Sequence, residues 1–246
     1  MHKKTLLKTI ALILFMTAIV LLASVVPKQK TFVTSAQDQG SELALPVANY
    51  EAAEPADPQE KSRRHARSKR FNHQSGEVIK EAPYPLERIW SSHWAREVPA
   101  IPIAQSDVIL IGTVLDSQAY LSTDKTGVYS EFAISVGEVL KGSAVNNAVI
   151  SAQRSGGAVR FPSGVIQKYR SEGQGMPRIA RKYLLFLKKL DQDDAFSLLT
   201  GYELRGEKIV PLDGGNKGGT ESLPFDSYRG ANVASFLRLV QDSIIH

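Results

Sequence analysis

The apolar run YLLFL, residues 183–187, indicates the fold of this chain. Five consecutive apolar residues between charged neighbours are typical of a strand that is buried on both faces. Upstream, residues 108–115 (VILIGTVL) are rich in β-branched side chains. Residues 128–139 (VYSEFAISVGEV) alternate, with Phe132 and Ile134 on one face. These three segments predict strands of one β-sheet.

Shorter strand-like segments complete the pattern, at residues 148–153, 158–161, 165–169, 196–204 and 208–212. Tight turns are expected at Gly164, between residues 158–161 and 165–169, and at Gly206, between residues 196–204 and 208–212. Because no long helical pattern interrupts the strands, the sequence predicts a small antiparallel barrel or sandwich over residues 104–215. Within residues 216–246, apolar side chains at helical spacing predict an amphipathic helix that closes the domain.

Composition excludes several classes of protein. The chain has 246 residues and no Cys, so it has no disulfides, no Cys-ligated zinc and no Cys nucleophile. Its net charge of +5 comes entirely from the first 70 residues, because residues 71–246 carry nineteen acids and nineteen bases. The part expected to fold is therefore neutral, which disfavours nucleic acid as a partner.

The N-terminal residues 1–36 predict a membrane segment or an export signal. Residues 9–26 are uncharged and would span about 27 Å as a helix. Lys3, Lys4 and Lys8 precede them, which favours a cytoplasmic N-terminus and an extracytoplasmic bulk. The segment is either an uncleaved single-pass anchor in the cell membrane or a signal cleaved after Ala36, which would leave a secreted or periplasmic protein.

Residues 37–82 contain few large apolar side chains and predict a disordered, charged linker. Within it, the run KSRRHARSKR at residues 61–70 is strongly basic. Its cations are either a contact for polyanions or a solvated run that keeps the linker extended. The residues concerned are Arg63, Arg64, Arg67, Lys69 and Arg70. Residues 83–103, where Tyr84 and two Trp appear between prolines, predict a short helical cover segment.

A resemblance can be stated on four motifs in order: DVILIGTV (residues 107–114), SEFAISVGEVLKG (130–142), RKYLLFLK (181–188) and TGYELRGEKIVPLDG (200–214). They resemble a group of uncharacterised bacterial exported proteins and, more distantly, the netrin-type OB-fold domain of tissue inhibitors of metalloproteinases. The resemblance implies a five-stranded OB-like barrel with flanking helices. It does not imply the inhibitory mechanism, because those inhibitors chelate zinc through an N-terminal Cys and this chain has no Cys.

The candidate binding residues lie in a basic, glycine-rich stretch, residues 151–178. The forked guanidinium group of Arg matches the oxygens of a phosphate or carboxylate group, and an aromatic ring can stack on a ligand. These residues predict a site for an anionic ligand or a partner; the alternative is that the arginines neutralise acids elsewhere in the domain. The candidates are Arg154, Arg160, Tyr169, Arg170 and Arg178.

Two functions remain open from the sequence. No His falls between residues 107 and 245, so no His-based hydrolase, metal site or cofactor is expected there. The first function is a non-catalytic extracytoplasmic binding module, tethered to the membrane, that contacts an anionic ligand, an envelope component or a protein partner. The alternative is an extracytoplasmic hydrolase that uses paired carboxylates among Glu131, Glu138 and Glu203, which would have to lie about 5 to 9 Å apart.

Overall fold

The computed structural model describes residues 45–73, 76–90, 97–144, 146–191, 194–214 and 224–245. Within these residues, no helix has the length and apolar character needed to cross a bilayer. The predicted membrane segment, residues 9–26, lies outside them. The strands are β1 (Val47–Asn49), β2 (Glu87–Trp90), β3 (Val108–Leu121), β4 (Val128–Lys141), β5 (Val149–Ser155), β6 (Gly157–Arg160), β7 (Ile166–Ser171), β8 (Lys182–Lys189), β9 (Ala195–Arg205) and β10 (Lys208–Pro211). The helices are α1 (Pro58–Lys69), a short 3-10 helix (Pro224–Tyr228) and α2 (Val233–Ile245).

The larger sheet contains the strands predicted at residues 108–115, 128–139 and 183–187. β3 pairs antiparallel with β4 and with β8, and β4 pairs antiparallel with β5. β9 pairs antiparallel with β8 and parallel with β5, so these five pairings form a cycle. The prediction of a mainly β fold with antiparallel strands and a C-terminal helix is confirmed. The parallel contact between β5 and β9 was not predicted.

β8 is buried on both faces, as the run YLLFL predicts. Tyr183, Leu185 and Leu187 pack on one side with apolar residues of β3, β4, β5 and β9. Leu184 and Phe186 pack on the other side against α2 and neighbouring strands. The two clusters use alternate residues of the same strand because successive side chains of a strand point to opposite faces. β8 is thus the strand shared by both cores.

The C-terminal segment covers both a face and an edge of the larger sheet. Phe236 and Val240 of α2 are buried against the outer side of β8. Just before α2, the chain follows β10: the backbone N–H of Ile209 donates to the Ala231 carbonyl at 2.9 Å, and the Gly230 N–H donates to the Ile209 carbonyl at 2.9 Å. The outer edge of β10 is therefore paired rather than open.

The smaller sheet corrects two predictions from the sequence. Its strand order is β1-β6-β7-β2, in which two short parallel strands flank the β6–β7 hairpin. β1 and α1 lie within residues 37–82, so the predicted disordered linker is wrong for the described residues from 45 onward. Residues 87–90 form β2 instead of part of a cover helix. These segments have few apolar residues of their own, but their backbones pair with β6 and β7, and Ala48 and Ile79 are buried in the same cluster as residues of those strands.

Leu185→Ala tests the core. Leu185 is fully buried among apolar residues of β3, β4, β5 and β9, so the change leaves a cavity and should lower the free energy of unfolding by about 2 to 5 kcal/mol. Leu115, which is 49% exposed on β3, provides the matched control. We expect Leu115→Ala to change stability by less than about 0.5 kcal/mol in urea unfolding. Equal effects of the two changes would contradict this assignment of the core.

Candidate functional site

Arg154, the first of the predicted anion-binding residues, forms a buried ion pair. Its Nη2 lies 2.6 Å from Oδ2 of Asp213, and both side chains are almost fully excluded from solvent. Arg154 also donates to the Gly175 carbonyl at 2.7 Å and to the Leu199 carbonyl at 3.1 Å. The prediction of a ligand contact is therefore wrong for Arg154. Its charge is used to neutralise an acid of the same domain.

Asp213 has hydrogen-bond donors on both carboxylate oxygens. Thr200 Oγ1 donates to Oδ2 at 2.8 Å, and the Gly175 N–H donates to Oδ1 at 2.9 Å. A buried carboxylate is tolerated only when it is paired and hydrogen-bonded in this way. The pair joins four parts of the chain: β5, β9, the connection between β7 and β8, and the residues that follow β10.

The other predicted residues of the stretch 151–178 are dispersed. Tyr169 is buried in the smaller sheet, and burial raises the pKa of its hydroxyl. Arg170 pairs with Glu87 across β7 and β2 at 2.5 Å, and Arg178 pairs with Glu203 at 2.7 Å. Arg160 is exposed on β6. Arg170 and Arg178 thus each pair with an acid of the same domain, and the prediction of a ligand contact is wrong for the buried Tyr169.

Two cations of the predicted linker anchor α1 to the larger sheet. Arg67 is buried, with Nη1 3.7 Å from Oε2 of Glu131 on β4. Arg70 Nη2 donates to Oε1 of Gln153 on β5 at 2.8 Å. Just beyond α1, the Phe71 ring stacks on Tyr129 of β4, with centroids 4.3 Å apart. Arg67 and Arg70 are therefore structural residues, while Arg63 and Lys69 lie on the exposed surface of α1.

A groove of about 750 Å³ opens between α1, the residues that follow β1, and the β3–β4 turn. Inside it, the Arg64 guanidinium lies 4.9 Å from the centroid of the Tyr120 ring. The Lys125 Nζ lies 4.4 Å from the centroid of the Tyr50 ring. Among the described residues, neither cation has a carboxylate within ion-pair distance. We call this surface the cation–aromatic groove.

An aromatic ring holds a cation in place without cancelling its charge. Burial, and next the charge of Glu131, raise the pKa of Tyr120 to about 12, so this ring stays neutral beneath Arg64 at physiological pH. The groove also contains Lys61, which pairs with Glu54 at one end. Arg64 and Lys125 are therefore the two Lys or Arg side chains of the groove lining that have no carboxylate within ion-pair distance among the described residues.

Of the four side chains in the two cation–aromatic contacts, sequence reasoning singled out only one. Arg64 belonged to the predicted basic run, whereas Tyr50, Tyr120 and Lys125 were not singled out. With Arg64, they come from three separate parts of the chain, at residues 50, 64 and 120–125, and no short-range pattern connects these parts. Their proximity depends on how α1 and β1 dock on β3.

The three carboxylates considered for a hydrolase occupy separate surroundings. Glu131 accepts a hydrogen bond from Gln153 at 3.3 Å beneath α1, Glu138 is exposed on β4, and Glu203 is buried among arginines. In the described part of the chain, no hydrogen bond joins any two of them. Burial alone would raise the pKa of Glu203, but hydrogen bonds from Arg205 and Arg178 outweigh it and hold this pKa below its ordinary value. A carboxylate that stays ionised cannot serve as a general acid.

Neither the possible metal ligands of the described residues nor the comparison with known proteins indicates a further functional site. Over residues 45–245, apart from the short gaps in the description, no group of three His, Asp or Glu side chains is arranged to hold a metal ion. Comparison with known proteins finds no family model that matches the chain and no matching curated protein. The resemblance to bacterial exported proteins with an OB-like domain therefore stays a prediction.

Arg154→Met tests the buried pair. The change leaves the Asp213 carboxylate buried without its cation and should lower the free energy of unfolding by about 3 to 5 kcal/mol. Arg229 provides the matched control, because it pairs with Asp226 at the same 2.6 Å but is about half exposed. We expect Arg229→Met to cost at most about 1 kcal/mol.

Adding Asp213→Asn to Arg154→Met should restore part of the lost stability, because the second change removes the unpaired charge. Urea unfolding measures all four chains. A single Arg154→Met variant no less stable than the Arg229→Met control would contradict the structural role of the pair.

Proposed function

We propose that this chain is a non-catalytic binding module that holds an acidic segment of a partner in the cation–aromatic groove. One observation carries the proposal: Arg64 and Lys125 are positioned by tyrosine rings and not by carboxylates. An acidic ligand can therefore pair with both cations without first displacing an internal acid. The groove volume of about 750 Å³ is in the range of ligand-binding clefts.

The cyclic pairing of β3, β4, β5, β9 and β8 supports the finer prediction of an OB-like barrel. OB-like barrels bind extended ligands across one strand face and the adjoining loops. The groove adjoins the end of β3 and the β3–β4 turn, which agrees with that mode of binding. The hydrolase alternative has no corresponding support, since Glu131 lies beneath α1, Glu138 is exposed on β4 and Glu203 is buried among arginines.

Tethering is part of the proposal and rests on the sequence. The uncharged residues 9–26 would anchor the chain in the membrane, with the module on the extracytoplasmic side, and cleavage after Ala36 would instead release it. In either case the partner is an acidic component of the cell envelope or an acidic protein.

The double variant Arg64→Gln/Lys125→Gln tests the groove, with poly-glutamate as the probe. We expect its affinity for poly-glutamate at low salt to fall about tenfold, because each cation contributes up to about 1 kcal/mol. The salt dependence of binding should also become flatter, since fewer charges are screened. Titration calorimetry of the full-length chain gives both quantities, and a melting curve checks that the variant folds.

Lys188→Gln/Lys189→Gln is the matched control, because it removes two exposed cations at the end of β8, outside the groove lining. We expect this variant to bind poly-glutamate like the original chain. If both double variants lose affinity equally, general charge and not the groove is responsible, and the proposal fails. It also fails if the original chain does not bind the probe.

A further inference from the structure

Three arginines surround one buried carboxylate at a second place in the fold. Glu203 of β9 is only 5% exposed. Its Oε2 lies 2.7 Å from Nη2 of Arg178 and 3.1 Å from Nη2 of Arg205. Its Oε1 lies 3.2 Å from Nε of Arg205 and 4.0 Å from Nε of Arg181. We call these four side chains the arginine cluster.

Strand geometry assembles most of the cluster. Arg205 follows Glu203 by two residues on β9, so both side chains lie on the same face. Tyr183 stands opposite Glu203 on β8, and its hydroxyl accepts a hydrogen bond from the Arg178 N–H at 3.0 Å. This contact holds the connection between β7 and β8 against the sheet. It thereby brings Arg178 to the carboxylate.

A strained residue lies between the two arginines of that connection. Ala180 has a φ of 61°, in the left-handed region that side chains with a Cβ seldom adopt. Its N–H donates to the Val114 carbonyl at 2.8 Å, which fixes the turn. As a result, Arg178 and Arg181 both reach Glu203 although only two residues separate them. Such strain persists only where surrounding contacts enforce it.

The cluster carries more positive than negative charge. Three guanidinium groups and one carboxylate sum to +2. Glu203 already accepts hydrogen bonds on both oxygens. Arg181 makes no hydrogen bond through its guanidinium within the described residues, and its side chain is 53% exposed. Arg178 uses one of its five N–H donors on Glu203 and is 29% exposed.

We infer that Arg178 and Arg181 bind a dianionic phosphate group, while Glu203 and Arg205 hold the site together. A guanidinium fork matches the oxygens of a phosphate group and donates two charge-assisted hydrogen bonds to them. A group with about two negative charges balances the excess of +2. The phosphate group is either inorganic phosphate or a monoester on a larger molecule. The site is built from β8, β9 and the connection before β8, so it is independent of the cation–aromatic groove.

Arg181→Gln is the decisive variant, because it removes an exposed arginine that donates no hydrogen bond to Glu203 and should leave folding intact. We expect the affinity of the full-length chain for inorganic phosphate, measured by titration calorimetry, to fall about tenfold, the size expected for a lost charge-assisted hydrogen bond. Arg181→Lys should recover only part of that affinity, because lysine keeps the charge but lacks the fork.

Arg160→Gln is the matched control, since it removes the same charge from an exposed arginine on β6. Phosphate affinity should not change in this control. An equal loss in Arg160→Gln and Arg181→Gln overturns the inference, as does an original chain that binds no phosphate at millimolar concentration. Poly-glutamate binding should be unaffected by Arg181→Gln, so failure at one site can be distinguished from failure at the other.

Two further probes distinguish the sources of the phosphate and test its charge. Glycerol phosphate is a monoester. If it binds as tightly as inorganic phosphate, the ligand is a phosphorylated molecule. If inorganic phosphate binds and glycerol phosphate does not, the site is for the free ion. Both outcomes support the inference. Dimethyl phosphate carries a single charge and should bind at least about tenfold more weakly than glycerol phosphate. Equal binding of these two esters overturns the requirement for a dianion.

Discussion

The buried pair of Arg154 and Asp213 is the interaction on which the rest of the structure depends. It joins β5 and β9 to the connection before β8 and to the residues that follow β10, through hydrogen bonds to Gly175, Leu199 and Thr200. Gly175 sits directly against it, where a Cβ would overlap the Leu212 carbonyl oxygen. The pair holds Gly175 through two hydrogen bonds. Because Arg178 and Arg181 lie farther along the same connection, this contact helps to position the arginine cluster.

Arginines and lysines play three different roles in this protein, and the nature of their neighbours decides which. Arg154 is paired with a buried acid and is purely structural. Arg64 and Lys125 lie over tyrosine rings, so they are held in place while their charge is retained. Around Glu203, one acid is shared among three arginines, and positive charge remains in excess. The last two arrangements differ from the first because positive charge in them is not cancelled by a paired acid among the described residues.

The basic segment around α1 is ordered although it contains few apolar residues. It is held by contacts with the larger sheet: Arg67 with Glu131, Arg70 with Gln153, and Phe71 with Tyr129. The β1 strand likewise pairs with β6. Low hydrophobicity predicts disorder for a segment by itself, because it cannot bury enough surface to offset its lost entropy. The prediction does not hold where polar and aromatic partners are supplied by a neighbouring sheet.

The sequence by itself determined the mainly β fold, the two-sided burial of residues 183–187 and the amphipathic C-terminal helix. These features follow from the spacing of apolar residues along the chain, which shows which faces of a strand or helix are buried. Only the tertiary structure decided which charges are neutralised. Arg154 and Asp213 are 59 residues apart, and Arg178 and Glu203 are 25 apart. Charge pairing depends on distance in space, and a basic residue looks the same in the sequence whether its partner is a buried acid, an aromatic ring or a ligand.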